Sequence, residues 1–228
     1  MKTIIAFDAD DTLWSNEPFF QEVERKYTEL LKPYAASATE ISTELFHTEM
    51  ENLELLGYGA KAFTISLLET ALRVSNNTIT AREINQIISW GKSLLQMPVE
   101  PLAGVRETLE SLRKYSDYEL VVATKGDLLD QKNKLKRSGL DSYFIHIEVM
   151  PDKTEVEYAR LLKTLQITPD RFVMVGNSLK SDIQPVLAIG GRGVYIPFET
   201  VWQYEKVASF FHPRMKQLGK FEELLTLF

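Results

Sequence analysis

The chain has 228 residues, of which 44% are hydrophobic and 25% charged; it has no cysteine, and its formal net charge is -6. These values are typical of a globular protein with one large domain or one and a half domains. The lack of cysteine excludes disulfides, thiolate zinc sites and cysteine nucleophiles, and the acidic balance argues against binding to a nucleic-acid backbone.

The N-terminal segment predicts a buried strand that ends in acidic residues. The apolar run Thr3 to Phe7 is followed by Asp8, Asp10, Asp11 and Thr12. The carboxyl ends of buried parallel strands open into the ligand-binding crevice of α/β sheets. Because side chains alternate along a strand, Asp8 and Asp10 are expected to point the same way. Two carboxylates that close ionise readily only if a cation or hydrogen-bond donors compensate their charge. The pattern therefore indicates a metal ion.

The next part of the chain predicts helices without any strand. Apolar residues recur at helical spacing in two stretches, Phe63, Leu67, Ala71 and Val74, and then Ile84, Ile87, Ile88 and Leu95. Pro98 and Pro101 then break the helical pattern. We therefore expect a helical cap domain at residues 17–97, inserted into a core domain of residues 1–16 and 98–228.

The second half of the chain alternates strand and helix patterns. The predicted strands are Glu119–Thr124, Phe144–Val149, Arg171–Gly176 and Gly193–Ile196. This alternation is typical of a parallel sheet with crossover helices. Residues 214–228 predict a terminal helix, with an apolar stripe formed by Leu218, Phe221, Leu224 and Leu225. No apolar run is long enough for a signal peptide or a membrane span.

Polar residues follow three of these strands. Thr124 ends the second strand and precedes Lys125, Lys153 follows the third strand, and Asn177 follows the fourth, with Asp182 five positions later. The carboxyl ends of parallel strands meet at one edge of a sheet. These side chains are therefore expected near the acidic residues that follow the first strand.

Together with Asp8-Ala9-Asp10-Asp11-Thr12, this order of motifs resembles the haloacid dehalogenase superfamily, over residues 1 to about 196. The resemblance implies an α/β fold: a three-layer, Rossmann-like parallel-sheet core with an inserted α-helical cap. It also implies an Mg²⁺-dependent phosphomonoesterase that acts on a small phosphorylated metabolite through an aspartyl-phosphate. Dehalogenating members of the superfamily lack an acid at the position of Asp10, so Asp10 argues for phosphate chemistry.

The resemblance and the charge of a phosphoryl group in transfer together suggest a role for each motif residue. Asp8 is expected to attack phosphorus, and Asp10 to act as general acid and then general base. Thr124 is expected to hold a phosphoryl oxygen, and Lys153 to neutralise charge shared by Asp8 and the phosphate.

Four further residues are candidates for substrate contacts. Thr12 ends the first motif, and Lys125 directly follows Thr124 of the second. Tyr58 and Lys61 lie in a glycine-containing turn of the predicted cap, and the comparable turn of relatives faces the active site. The alternative for Tyr58 and Lys61 is that they are exposed residues of a turn without contact to substrate.

The expected magnesium ligands are Asp8, the Asp10 carbonyl and one residue of the fourth motif. Many relatives have aspartate after the glycine of that motif, whereas this chain has Asn177, which brings no negative charge. We therefore expect weaker metal binding, with Asn177 as the direct ligand. For Asp182 the alternatives are direct binding, binding through water, and orientation of Lys153.

Two alternative functions remain open from the sequence. A phosphomutase would use the same residues and return the phosphate to its substrate. A non-catalytic ligand-binding relative with a weakened metal site is supported by Asn177 alone. We expect no nucleic-acid or membrane partner, a monomer or homodimer, and a cytoplasmic location.

Other polar and aromatic residues have structural interpretations. Asp11 is expected to form local hydrogen bonds in its turn, and Trp14 to pack in the apolar core. A basic cluster is expected to form a solvated helix face; it consists of Lys132, Lys134, Lys136 and Arg137.

Overall fold

The computed structural model describes residues 2–228. It contains two compact units, one formed by the segment up to Glu17 together with Val99–Phe228 and the other by Pro18–Pro98. Within residues 2–228, no helix is both long and apolar enough to cross a membrane.

A parallel sheet forms the centre of the first unit. Its strands are β1 (Thr3–Phe7), β2 (Tyr118–Lys125), β3 (His146–Met150), β4 (Phe172–Gly176), β5 (Arg192–Tyr195) and β6 (Met215–Gln217). Their order is β3-β2-β1-β4-β5-β6, and all neighbours are parallel. At the end of β1, Phe7 is opposite both Val122 and Val175. The segments that follow β1, β2 and β4 therefore begin side by side.

Helices cover both faces of this sheet. The α-helices of the described chain are α1 (Glu17–Leu31), α2 (Ala38–Leu56), α3 (Ala60–Val74), α4 (Ala81–Leu94), α5 (Val105–Leu112), α6 (Leu128–Arg137), α7 (Glu155–Leu165) and α8 (Gln184–Ala188). Those of the unit that contains the sheet are α5 to α8. Ile5 belongs to one buried cluster with Leu109 of α5, whereas Ile4 belongs to another with Tyr158 of α7. Successive β1 side chains thus enter opposite cores, which confirms the predicted three-layer α/β/α, Rossmann-like fold.

The second unit is helical and contains most of α1 together with α2, α3 and α4. Its core includes Tyr27, Leu45, Leu67 and Ile87, all at most 1% exposed. Thr80 begins α4 with a capping box in which its hydroxyl accepts from the Glu83 amide. The function of this unit as a cap domain stays a prediction.

The predicted terminal helix at residues 214–228 is wrong. The segment instead contains β6 and a 3₁₀ helix at Phe221–Thr226. Phe221 and Leu224 of the predicted apolar stripe are buried, whereas Leu225 is 39% exposed. A strand of three residues is too short to show alternation of apolar and polar side chains, so its pairing with β5 had no signal in the sequence.

Candidate active site

The turn after β1 holds Asp8 at the carboxyl end of the sheet. The Asp8 amide donates to the Val175 carbonyl at 2.9 Å and so extends the pairing with β4. Asp11 then has a φ of 62°, in the left-handed region that favours glycine, asparagine and aspartate. Its carboxylate accepts from the amides of Asn16 at 2.7 Å and Glu17 at 3.0 Å. The predicted local role of Asp11 is therefore confirmed, and burial raises its pKa to about 8 against the effect of the Asn16 amide.

Lys153 joins two carboxylates at the centre of the site. Its Nζ donates to Asp8 Oδ1 at 2.5 Å and to Asp182 Oδ1 at 2.6 Å. The Lys153 side chain is 2% exposed, that of Asp182 1% and that of Asp8 10%. Burial lowers the pKa of Lys153, but Asp182 and Asp8 outweigh burial and raise that pKa above its usual value. The ammonium therefore stays charged between the two carboxyl groups. Burial raises the pKa of Asp8 to about 7, although Lys153 lowers it.

The Thr12 hydroxyl lies between the other oxygen of Asp8 and the side-chain oxygen of Asn177. The Thr12 hydroxyl is 3.2 Å from Asp8 Oδ2 and 3.3 Å from Asn177 Oδ1. Residues 2–228 contain no group of three or more His, Cys, Asp or Glu side chains suited to a metal ion. Mg²⁺ in proteins is commonly held by one or two carboxylates, with water and substrate phosphate as its other ligands. The oxygens of Asp8 and Asn177 fit that requirement.

Asp182 lies in a turn that requires a glycine nearby. Its Oδ2 accepts from the Ser178 amide at 2.9 Å, while its Oδ1 accepts from Lys153. A Cβ on Gly176 would lie 2.2 Å from Asp182 Oδ2, so a larger residue there would displace the carboxylate. Both oxygens of Asp182 are thus used within the protein, and one of them contacts Lys153.

The Asp10 side chain contacts helix α6. Its carboxylate accepts from Trp14 Nε1 at 2.7 Å, from Gln131 Nε2 at 2.7 Å, and from Lys134 Nζ at 3.0 and 3.1 Å. Lys134 Nζ also donates to Asn16 Oδ1 at 2.8 Å. Burial of the Trp14 ring is confirmed, although the hydrogen bond from its indole was not foreseen.

The prediction of a solvated face for Lys134 is wrong, since its side chain is 3% exposed. The other members of the basic cluster are exposed: Lys132, Lys136 and Arg137. Gln131 and Lys134 are three residues apart, so they lie on one face of α6. That spacing, in a helix that begins directly after the second motif, was the available signal for these two residues.

The second motif brings Thr124 and Lys125 to the same edge of the sheet. Thr124 is 2% exposed, and its hydroxyl is 3.4 Å from the Lys125 carbonyl, at the long end of a hydrogen bond. Lys125 Nζ donates to Ser181 Oγ at 3.0 Å and to Glu205 Oε1 at 2.5 Å. Glu205 is a residue that sequence reasoning missed, because no motif surrounds it.

The remaining candidates, Tyr58 and Lys61, belong to the second unit. Tyr58 lies in the turn between α2 and α3, between Gly57 and Gly59, whose φ angles are 68° and 105°. Lys61 lies in the first turn of α3. Their predicted contact with substrate stays a prediction.

Comparisons with known proteins agree with this arrangement of motifs. The sequence profile described as "Hydrolase: haloacid dehalogenase-like hydrolase" matches residues 2–190. A crystal structure of a haloacid dehalogenase-like family hydrolase from Xanthomonas campestris is 38% identical, with a TM-score of 0.89 over 99% of this chain and 90% of that one. The HAD-hydrolase YfnB from Bacillus subtilis, solved bound to magnesium, is 15% identical with a TM-score of 0.69 over 100% of this chain and 99% of that one. Dehalogenases also share this fold.

One curated relative has a name that states its reaction. It is the glyceraldehyde 3-phosphate phosphatase of Pyrococcus furiosus, 28% identical over 125 residues. The match covers 50% of this chain and 51% of the relative, so the chain spans about half the length of that protein.

Proposed function

The chain belongs to the haloacid dehalogenase-like hydrolase family, and on that premise we propose that it is an Mg²⁺-dependent phosphomonoesterase. Its substrate is a small phosphorylated metabolite, and Asp8 forms an aspartyl-phosphate. The observation that carries the proposal is the contact of Lys153 with both Asp8 and Asp182, beside the oxygens of Thr12 and Asn177. The phosphatase relative from Pyrococcus furiosus supports the choice of reaction.

The reaction proceeds in two displacements at phosphorus. The Asp8 carboxylate attacks phosphorus, the bond from phosphorus to the ester oxygen breaks, and Asp10 gives a proton to the leaving alkoxide. Asp10 then takes a proton from water, which attacks the aspartyl-phosphate, releases phosphate and restores Asp8. The Asp10 side chain is 22% exposed, against 10% for Asp8, so it is the more accessible carboxyl for proton exchange with substrate and water.

The chain supplies positive charge and a hydroxyl for the phosphoryl oxygens. Lys153 carries its charge next to Asp8, and Asp182 fixes the direction of that ammonium through a contact of 2.6 Å. Thr124 offers a buried hydroxyl at the end of β2. Charges placed in advance around a transferring phosphoryl group stabilise the transition state more than they stabilise the substrate.

The residues that would hold magnesium are Asp8 and Asn177, through their side chains, and Asp10, through its carbonyl. The bound ion supplies positive charge that offsets the negative charge of phosphate and nucleophile. Asp182 serves Lys153 instead, because both of its oxygens already accept hydrogen bonds from the protein. The magnesium-bound YfnB supports the choice of metal. Since Asn177 is neutral, the affinity for Mg²⁺ is lower than with aspartate at that position.

The second unit serves as the cap, and Tyr58 and Lys61 contribute to the choice of substrate. Asp10 favours phosphate esters over 2-haloacids as substrates. The monomeric or homodimeric state and the cytoplasmic location stay predictions.

Phosphate release from a panel of sugar phosphates, nucleoside monophosphates and small phosphorylated acids tests the proposal, with Mg²⁺ or with a chelator. We expect Mg²⁺-dependent release that Asp8→Asn abolishes and that Asp141→Asn, a change at an exposed aspartate, leaves intact. Full activity of Asp8→Asn would contradict the covalent mechanism. Isomer conversion without free phosphate would establish a mutase, and halide release from 2-haloacids would establish a dehalogenase.

A further inference from the structure

A carboxylate outside the motifs is buried beside the active site. Glu205 lies in a 3₁₀ turn, Gln203–Glu205, in the long connection between β5 and β6, and its side chain is 11% exposed. Burial of an ionised carboxylate is costly unless charge and hydrogen bonds compensate it. The partners of this carboxylate therefore indicate why it is buried.

Glu205 contacts the segments that follow two different strands. Its Oε1 accepts from Lys125 Nζ at 2.5 Å, at the end of β2. Its Oε2 accepts from Ser178 Oγ at 2.5 Å and from Ser181 Oγ at 2.7 Å, in the turn after β4. Burial opposes ionisation, but Lys125 and the two hydroxyls outweigh it and lower the pKa of Glu205. The carboxylate thus stays charged and cross-links the two segments.

The turn held by Glu205 is the one that positions Asp182. It is a π-helical turn, Leu179–Ile183, preceded by Ser178. The Ser178 amide donates to Asp182 Oδ2 at 2.9 Å, and the Ser178 hydroxyl accepts from the Ser181 amide at 2.9 Å. A shift of this turn would move Asp182, and with it Lys153.

The ion pair with Glu205 also affects the charge and the hydrogen bonds of Lys125. Lys125 Nζ donates to Ser181 and Glu205 and is also 3.7 Å from Asp152, so its charge is neutralised and its hydrogen atoms are directed into the protein. Lys125 is therefore engaged within the protein, whereas Lys153 contacts the nucleophile Asp8 directly. The predicted contact of Lys125 with substrate stays a prediction.

We propose that Glu205 is a positioning residue that neutralises Lys125 and fixes the Ser178–Ile183 turn, so that Lys153 remains the cation directed at Asp8. This inference rests on the proposed phosphatase reaction. It assigns a role in that reaction to a connection that has no motif.

The backbone around Glu205 has anchors of its own. Lys180 Nζ donates to the Tyr204 carbonyl at 2.9 Å and lies 3.2 Å from the centre of the Tyr204 ring. The ring of Trp202 lies 5.1 Å from that of Tyr204, measured between centroids. A change confined to the Glu205 carboxylate should therefore leave the segment in place.

The test compares Glu205→Gln with Glu199→Gln, which removes the same charge from an exposed position of the same connection. We expect Glu205→Gln to lower kcat at least tenfold while KM stays within threefold. The reason is that a displaced Lys153 stabilises the transition state less, whereas substrate binding changes little. Hydrogen exchange in a peptide covering Ser178–Ile183 should become at least tenfold faster. Glu199→Gln should leave kcat, KM and the rate of hydrogen exchange unchanged.

A double variant separates positioning from substrate binding. Lys125→Gln with Glu205→Gln removes both charges and leaves no unpaired buried ion, so it should recover part of the kcat lost in Glu205→Gln. A double variant with a further rise in KM would overturn the inference, since Lys125 would then bind substrate.

Two further outcomes distinguish the inference from the proposed function. An active parent protein in which Glu205→Gln behaves like Glu199→Gln, or loses thermal stability with kcat unchanged, would overturn the positioning role alone. Absence of phosphate release from the parent protein would contradict the proposed function. Hydrogen exchange would then decide whether Glu205 fixes the turn, with unchanged exchange overturning the inference.

Discussion

Replacement of Asp182 by asparagine should destabilise the unit that contains the sheet. In the native site, Asp182 Oδ1 accepts from Lys153 at 2.6 Å and Oδ2 accepts from the Ser178 amide at 2.9 Å. Asparagine has the same shape but a single acceptor oxygen, so one of these two donors must face its NH₂ group. The variant thus loses a charge beside a buried ammonium and also leaves a buried donor unsatisfied.

The size of this effect follows from the burial of the partners. Removing one partner of a buried ion pair costs about 3–5 kcal/mol, and the lower end applies because Lys153 keeps its contact with Asp8. For a chain of this size, each kcal/mol shifts the melting temperature by about 2–4 °C. A loss of about 3 kcal/mol therefore predicts a decrease of about 6–12 °C in Tm.

Scanning calorimetry in the presence of a chelator measures this shift without a contribution from bound metal. Asp141→Asn, at an exposed aspartate, serves as the control and should shift Tm by less than about 2 °C. A shift for Asp182→Asn no larger than that of the control would refute the reasoning, because the contact with Lys153 would then contribute nothing to stability.

Two further predictions concern activity. Asn177→Asp should lower the Mg²⁺ concentration for half-maximal activity at least tenfold. The reason is that the attraction between two unit charges about 4 Å apart is worth roughly 4 kcal/mol before rearrangement. An unchanged metal titration would show that residue 177 is not a ligand. Lys134→Met removes the buried ammonium that contacts Asp10. A hydrogen bond to a charged group contributes about 1.5–3 kcal/mol, so its loss predicts a decrease of about 10- to 100-fold in kcat/KM. Lys136→Met, at an exposed position of the same helix, should retain full activity, and equal activity of the two variants would contradict a role for Lys134.

The motif residues could be predicted because each follows a strand that the sequence itself reveals. The apolar runs that end before Asp8, Lys153 and Asn177 coincide with β1, β3 and β4 to within two residues. Parallel strands present their carboxyl ends at one edge, so the order of the motifs was enough to expect Asp8, Lys153 and Asp182 near each other. Local sequence pattern and the parallel topology were therefore enough to predict this part of the site.

The site residues outside the motifs were not predicted, because their contacts are with residues far away in the sequence. Lys134 lies 124 positions from Asp10, and Glu205 lies 80 positions from Lys125. In the sequence, Lys134 stands among basic residues that are exposed, and Glu205 stands in an irregular connection. Periodicity reports the face on which a side chain lies but not the partner it meets there.

The sequence by itself thus determined the sheet with its crossover helices, the helical insertion, and the positions of Asp8, Asp10, Thr124, Lys153 and Asn177. The tertiary structure decided the pairing of each charge: Lys153 with Asp8 and Asp182, Lys134 with Asp10, and Lys125 with Glu205. The physical reason is that strand and helix patterns arise from local burial, whereas a buried ion pair forms where the packed chain brings two distant charges into one site of low dielectric constant.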